Sequence, residues 1–271
     1  MRCITTALVL ALVCAAGGIP AAAATPAAAR LTPHKAVYLL ALGDLQSSST
    51  VVDATGRFEF EWSDVCDGWT VNQRFRIALL YEDGVSISYG WSLSSWESKD
   101  GKRYRFFIRR FDGAGQSEDV RGEAALGADG SGVATFRDPE ASDVALPAGT
   151  LFPTHHTLRV LESAEAGDAL VWTLVFDGSG DEGLFGVSAA LSRRQGPDAP
   201  TRLSSTLLDG VPSWQVNLAF YGADPAEVEP EQEQGLRLFA NGVVDEMRLD
   251  YGEFVLDADL SDLIPLPSPN C

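Results

Sequence analysis

The sequence predicts an almost all-β protein, built on one large antiparallel sheet that is curved or partly closed and carries one or two short helices. Three observations predict this. Apolar and polar residues alternate with period two along most of the chain, glycine-containing turn signals punctuate that alternation, and one stretch alone has the spacing of an amphipathic helix.

Residues 1–24 stand apart from the fold. Arg2 supplies a small positive n-region, Ile4 to Val13 an apolar core, and Ala21-Ala22-Ala23 an A-x-A cleavage pattern. Together they predict an export signal cut near Ala23 or Ala24. The apolar run is too short to span a bilayer, and no later stretch approaches the ~20 apolar residues a spanning helix needs. Lipid attachment at Cys14 wants a small residue before it and a Leu three before it, where Val13 and Ala11 stand. The remaining chain, 25–271, has no internal repeat or linker-like break and is expected to form a single domain. Its acidity, a formal net charge of -18 before Arg2 is removed, disfavours nucleic acid and anionic bilayers as nonspecific partners and is explained by solubility.

In chain order, Phe58, Phe60 and Trp62 alternate with Arg57, Glu59 and Glu61, and Val71, Phe75, Ile77 and Leu79 with Asn72, Arg74 and Arg76. Val85, Ile87, Tyr89, Trp91 and Leu93 then alternate with serines and Gly90, and Tyr104, Phe106 and Ile108 with Arg103, Arg105 and Arg109. Glu82-Asp83-Gly84, Lys99-Asp100-Gly101 and Asp129-Gly130-Ser131-Gly132 read as hairpin turns. Thr154 to Ala166 is the helix, started by Pro153 and Thr154, striped by Leu158 and Leu161 and stopped by Gly167. Ala223 to Gln234, rich in Asp, Glu and Pro, reads as a solvated loop. Asn241-Gly242, between Leu236–Ala240 and Val243–Tyr251, predicts a type I′ hairpin, and the phase shift at Gly252 predicts a bulge. Prolines 265, 267 and 269 make Ile264 to Asn270 an extended tail.

Cys3 and Cys14 leave with the signal, so Cys66 and the last residue, Cys271, remain. An even pair in an exported chain points to a disulfide that would pin the proline-rich tail. A free buried thiol at Cys66 or an intermolecular bridge are the alternatives.

Other chemistry is sparse. Glu59 and Glu61, with Asp64, admit a glycan hydrolase, but pairing of the glutamates with Arg74 and Arg76 across strands accounts for the same residues. His155 and His156 diverge by about 100° on a helix, and His34 stands alone, so no metal site is expected. No Gly-x-Ser-x-Gly elbow occurs. Lys99, Lys102, Arg103, Arg105, Arg109 and Arg110 interleave with aromatics, either as a patch for an anionic ligand or acidic partner or as a strand face laced to neighbouring acids.

The run Glu61-Trp62-Ser63-Asp64-Val65-Cys66-Asp67-Gly68-Trp69-Thr70, followed by Asn72-Gln73-Arg74, resembles the envelope integrity protein B family of Gram-negative bacteria. Gly149-Thr150-Leu151-Phe152-Pro153-Thr154, then His156-Thr157, resembles a second block of that family, and Cys271 its terminal cysteine. The resemblance implies a periplasmic protein whose sheet coils into a spiral, a Cys66–Cys271 bridge, and a non-enzymatic role in maintaining the cell envelope without a cofactor. It also implies a periplasmic tetratricopeptide-repeat protein as a partner. The aromatic strands suggest a second function, a lipid or lipoprotein carrier that uses the concave face of the sheet.

Overall fold

The computed structural model describes residues 31–47, 49–179, 183–222 and 228–271. The export signal expected at 1–24 lies outside the described residues. The chain forms β1 (His34–Leu45), β2 (Val51–Asp64), β3 (Gly68–Tyr81), β4 (Ser86–Ser98), β5 (Arg103–Phe111), β6 (Ser117–Leu126), β7 (Gly132–Asp138), β8 (Ser142–Leu146) and β9 (Thr150–Leu151). The single described helix, α1 (Pro153–Ala166), follows, and then β10 (Leu170–Phe176), β11 (Leu184–Leu191), β12 (Ser213–Tyr221), β13 (Gln232–Phe239), β14 (Val244–Asp250) and β15 (Phe254–Pro265).

All 15 strands belong to one sheet, in the order β8-β7-β6-β5-β4-β3-β2-β1-β15-β14-β13-β12-β11-β10-β9. Every pairing is antiparallel except β9 with β10. The chain therefore starts mid-sheet, meanders out to β8, crosses through α1, and meanders back until β15 pairs with β1. The outermost strands, β8 and β9, are consecutive in sequence. Three residues separate Leu146 from Thr150, which limits the gap between the two edges to about 14 Å. Connectivity alone thus bends the sheet into a nearly closed barrel.

Side chains complete the closure. Tyr104, Phe106 and Phe136 from one arm meet Phe176 from the other and Phe152 at the helix start, with ring centroids 5.3 Å apart for Tyr104–Phe152 and 5.8 Å for Phe106–Phe176. Burying five such rings contributes on the order of 10 kcal/mol before entropy is subtracted. Gly178 sits against this cluster at φ 80°, where a Cβ would come within 2.5 Å of the Phe106 ring.

Two further pieces cover the inner face. Helix α1 packs Val160, Leu161 and Ala164 on β10–β13 and Leu158 on Trp62 and Trp69. The connector 192–212 lays Leu203, Leu207, Leu208 and Val211 against β1–β3 and β14–β15. Arg237 and Asp245, both buried, anchor that connector: the Arg237 guanidinium donates to both Asp245 oxygens and, at 2.6 Å, to the Pro200 carbonyl. The Arg202 N–H donates to Asp245 Oδ2 at 3.1 Å. A buried carboxylate with this many donors is fully satisfied.

Several local expectations need correction. The Asn241-Gly242 turn is not type I′, because only Gly242 has positive φ; the Gly242 N–H closes a turn onto the Phe239 carbonyl at 2.8 Å. Asn241 instead donates through Nδ2 to the Leu207 carbonyl at 2.7 Å, which ties the hairpin to the connector. Gly252 lies in the β14–β15 turn and not in a bulge. The expected loop at 223–234 gives way at Gln232, where β13 begins; residues 223–227 lie outside the described residues. The C-terminal tail is shorter than its prolines suggest, since β15 pairs with β1 through Pro265 and the Leu266 N–H reaches the Pro33 carbonyl at 2.9 Å.

Candidate functional site

The two sequence blocks that carry the resemblance meet at the start of α1. The first lies on β2, β3 and their turn. There the Cys66 N–H donates to Asp64 Oδ1 at 2.9 Å, and the Val65 N–H to the Gly68 carbonyl at 3.0 Å. Cys66 has φ 69°, the only non-glycine with positive φ among the described residues. That conformation costs roughly 1–3 kcal/mol and persists because Asp64 and the β-ladder hold both sides of the turn. Gly68 is required at the next strand start: a Cβ there would stand 2.4 Å from the Glu97 carbonyl. Cys66 is bonded to Cys271, Cα to Cα 5.9 Å, so the last residues are tied to this turn.

From the turn, contacts run inward to the helix. Lys99 pairs with Asp64 and lies 4.6 Å from the Trp69 ring centroid. Trp69 packs on Trp62 at 6.2 Å and meets the edge of His155 at 5.4 Å. His155 Nδ1 donates to Glu97 Oε1 at 2.5 Å. Glu97, 2 % exposed, also accepts the Thr154 N–H at 2.7 Å and the His155 N–H at 3.0 Å.

This answers a local question about α1. Its N-cap position is Phe152, which offers no capping oxygen, and Pro153 occupies the first turn. The first turn would leave free N–H groups, and Glu97 caps two of them from another strand, its charge placed against the positive end of the helix. At the other end Gly167, φ 83°, closes the helix in the left-handed conformation, as expected.

The remaining motif residues divide. Asp67 contributes its carbonyl to the Lys99 N–H at 3.2 Å, and its side chain is exposed. Thr154 and His156 are buried, and burial pulls the His156 imidazole down to about 4. Gln73 and Arg74 lie farther along β3, opposite Phe60 and Glu59. The sequence does not single out Glu97, and it brings His155 forward only as a metal ligand, not as a partner of a buried carboxylate. Glu97 had a signal: it falls on the same phase of β4 as Trp91 and Leu93, and a carboxylate on an apolar phase requires a buried partner.

The basic run splits in the same way. Lys99 joins the junction. Arg109 makes a two-pronged pair with Asp119, 2.7 Å on each arm, and Arg110 pairs with Glu118 at 3.2 Å. Arg105 lies over Trp96 at 4.4 Å, and Lys102 and Arg103 are exposed with no ion pair among the described residues.

Glu59 stands opposite Arg74 but pairs along its own strand with Arg57 at 2.9 Å, while Glu61 faces Asn72 and Arg76 faces Arg57. The anticipated cross-strand ion pairs therefore do not form among the described residues; only the register places Glu59 opposite Arg74. The Arg57 bond holds the Glu59 carboxyl below the usual carboxylate range, the opposite of what a general acid needs.

Comparison with known proteins agrees with this architecture. The Cell envelope integrity protein EipB of Brucella abortus (strain 2308) is 30% identical over 257 residues, 91% of this chain and 88% of that protein. The crystal structure of a β-barrel-like protein of a domain of unknown function from Brucella abortus superposes with a TM-score of 0.80 at 28% identity, covering 88% of this chain and 99% of that one. The family described as EipB-like matches residues 25–267, and the chain belongs to it.

Proposed function

We propose that this is a non-enzymatic periplasmic protein that maintains the cell envelope by binding a protein partner, after export through a cleaved signal at 1–24. One observation carries the reading. The motif residues of a chain related to a named envelope-integrity protein converge on a junction of helix cap, tryptophan pair and disulfide, where Asp64, Lys99, Glu97 and both cysteines are occupied in holding the fold. A tetratricopeptide-repeat protein is the partner class suggested by the resemblance. The alternative of a lipid carrier needs free aromatic surface on the concave side. Tyr104, Phe106, Phe136, Phe152 and Phe176 are instead buried against one another, which favours the partner reading.

Deleting the gene should sensitise cells to detergents and cell-wall antibiotics, and restoring it should reverse this. Wild-type resistance of the deletion strain under several such stresses would remove the envelope role. Native mass spectrometry of protein purified from the envelope separates the two molecular readings, since a co-purifying lipid at stoichiometric occupancy would support the carrier.

A further inference from the structure

The outer face of β3–β6 is a local reversal of the charge of the whole chain. The register sets four rows across it: Arg76, Gly90, Phe111; Arg74, Ser92, Arg109, Asp119; Asn72, Ser94, Phe107, Arg121; and Thr70, Trp96, Arg105, Glu123. The middle strand, β4, thus contributes a strip of Gly90, Ser92, Ser94 and Trp96 between two arginine-bearing strands. At 4.8 Å between strands and ~3.4 Å per residue, this face is about 14 Å across and about 20 Å long.

Its carboxylates are already engaged. Asp119 is taken by Arg109, and Glu123 by Arg137 at 2.5 Å. Arg74, Arg76 and Arg105 are exposed and have no carboxylate within ion-pair distance among the described residues. Two of them lie over aromatic rings: Arg105 over Trp96 at 4.4 Å and Arg76 over Phe111 at 5.6 Å, while Arg121 lies over Phe107 at 5.0 Å. Stacked guanidinium groups keep their donors free at the edge and have lost part of their rotamer freedom beforehand. Three arginines without an ion pair of their own, the acids opposite two of them (Glu59 opposite Arg74, Glu123 opposite Arg105) being bonded to Arg57 and Arg137, are an unusual placement on a chain of net charge -18 unless they meet an anion.

We infer that this face docks an acidic surface of a protein partner, an inference that rests on the partner-binding reading above and gives that reading a location. Arginine on half-buried aromatics is the composition of protein-interface hot spots. A membrane surface fits less well. The acidic remainder of the chain would be repelled by anionic lipid, and Trp96, Phe107 and Phe111 are half-buried under guanidinium groups and do not project as membrane anchors.

The test uses protein purified from the envelope and three probes: a decaglutamate peptide, inorganic phosphate, and phosphatidylglycerol vesicles. At low salt the wild type should bind decaglutamate, and Arg74→Gln/Arg76→Gln/Arg105→Gln should weaken this at least ten-fold, with an unchanged unfolding midpoint. Arg202→Gln/Arg248→Gln, in the connector 192–212 and on β14, should bind as wild type does. The inference is overturned by no decaglutamate binding, by equal binding to the triple variant, by phosphate binding as tightly as the peptide, or by vesicle binding that the triple variant loses. The single variants, read the same way, decide the matter if the triple variant unfolds. In cells, full rescue of the deletion strain by the folded triple variant would sink this surface and leave the envelope role standing. A deletion strain without a phenotype would sink that role and leave the peptide result standing.

Discussion

Glu97→Ala should be among the most damaging single substitutions outside the apolar core. It removes one carboxylate, only 2 % exposed, that accepts two backbone N–H groups of the first turn of α1 and the His155 imidazole. Loss of a helix cap costs about 1 kcal/mol. Leaving the buried Thr154 N–H without a partner adds about 1–3 kcal/mol, because nothing nearby replaces the lost acceptor. The sum is about 2–4 kcal/mol, and at this chain length each kcal/mol lowers the thermal midpoint by roughly 2–4 °C. A fall of about 5–15 °C is therefore expected, accompanied by faster amide exchange at residues 154–157. Glu97→Gln keeps the shape and one acceptor and should lose about half as much. If the alanine variant melts within 2 °C of wild type, or if exchange at 154–157 is unaffected, the cap does not hold the helix and the account of the junction is wrong.

Cys271→Ser opens a loop closed across 205 residues of sequence, worth about 5 kcal/mol on the chain-entropy account. Limited proteolysis should release the segment after Leu266 while the sheet survives, and equal protease resistance of variant and wild type would contradict the tether. His156 gives a pH dependence. With its imidazole at about 4 in the fold against 6.5 unfolded, the unfolded chain binds the extra proton between those values, so this stability is complete above pH 6.5 and is lost as pH falls toward 4. From pH 7.5 to pH 5 the loss through this one group is about 2 kcal/mol. Denaturant titrations of wild type and His156→Phe at both pH values should differ by that amount, and parallel pH profiles would refute it. Arg237→Met strands the buried Asp245 carboxylate and should cost about 3–5 kcal/mol, whereas Arg237→Met/Asp245→Leu should recover much of it; a double variant no more stable than the single one would show that the pair itself, and not the stranded charge, is what matters.

Much of the sheet was legible because alternation is local. Tyr104, Phe106 and Ile108 face inward and their arginine neighbours outward, as period two requires. The paired cysteines were legible for a different reason, since an expected export signal and an even count leave few options. What the sequence hid depends on long-range partners. The cap on α1 comes from 57 residues away, and no spacing rule joins Glu97 to Thr154. The Asn241 turn was misread because its side chain serves the Leu207 carbonyl 34 residues upstream, which the dipeptide Asn-Gly cannot reveal. Gln232 to Gln234 looked like loop because composition there is acidic, yet β12 and β14 lie on either side and supply ladder partners that override propensity.

The arrangement of the strong ties bears on how such a sheet stays closed. Its last two edges, β8 and β9, share no ladder pairing among the described residues, so hydrogen bonds do not seal the barrel. Closure falls instead to the aromatic cluster and to α1, which follows β9 directly and packs on both arms. A helix in that position is useful only in one register, and apolar contacts alone specify register weakly. Glu97 and His155 fix it by hydrogen bonds that exist in a single pose, and Lys99 with Asp64 links that pose to the Cys66 turn. The disulfide then joins the C-terminal end of β15 to the turn between β2 and β3, two strands away across the point where the arms of the sheet begin. Opening the barrel between β8 and β9 would have to break the aromatic cluster and the helix cap, and because Phe152 belongs to the cluster and starts α1 while Glu97 pairs with Tyr104 across strands, these two ties give way together.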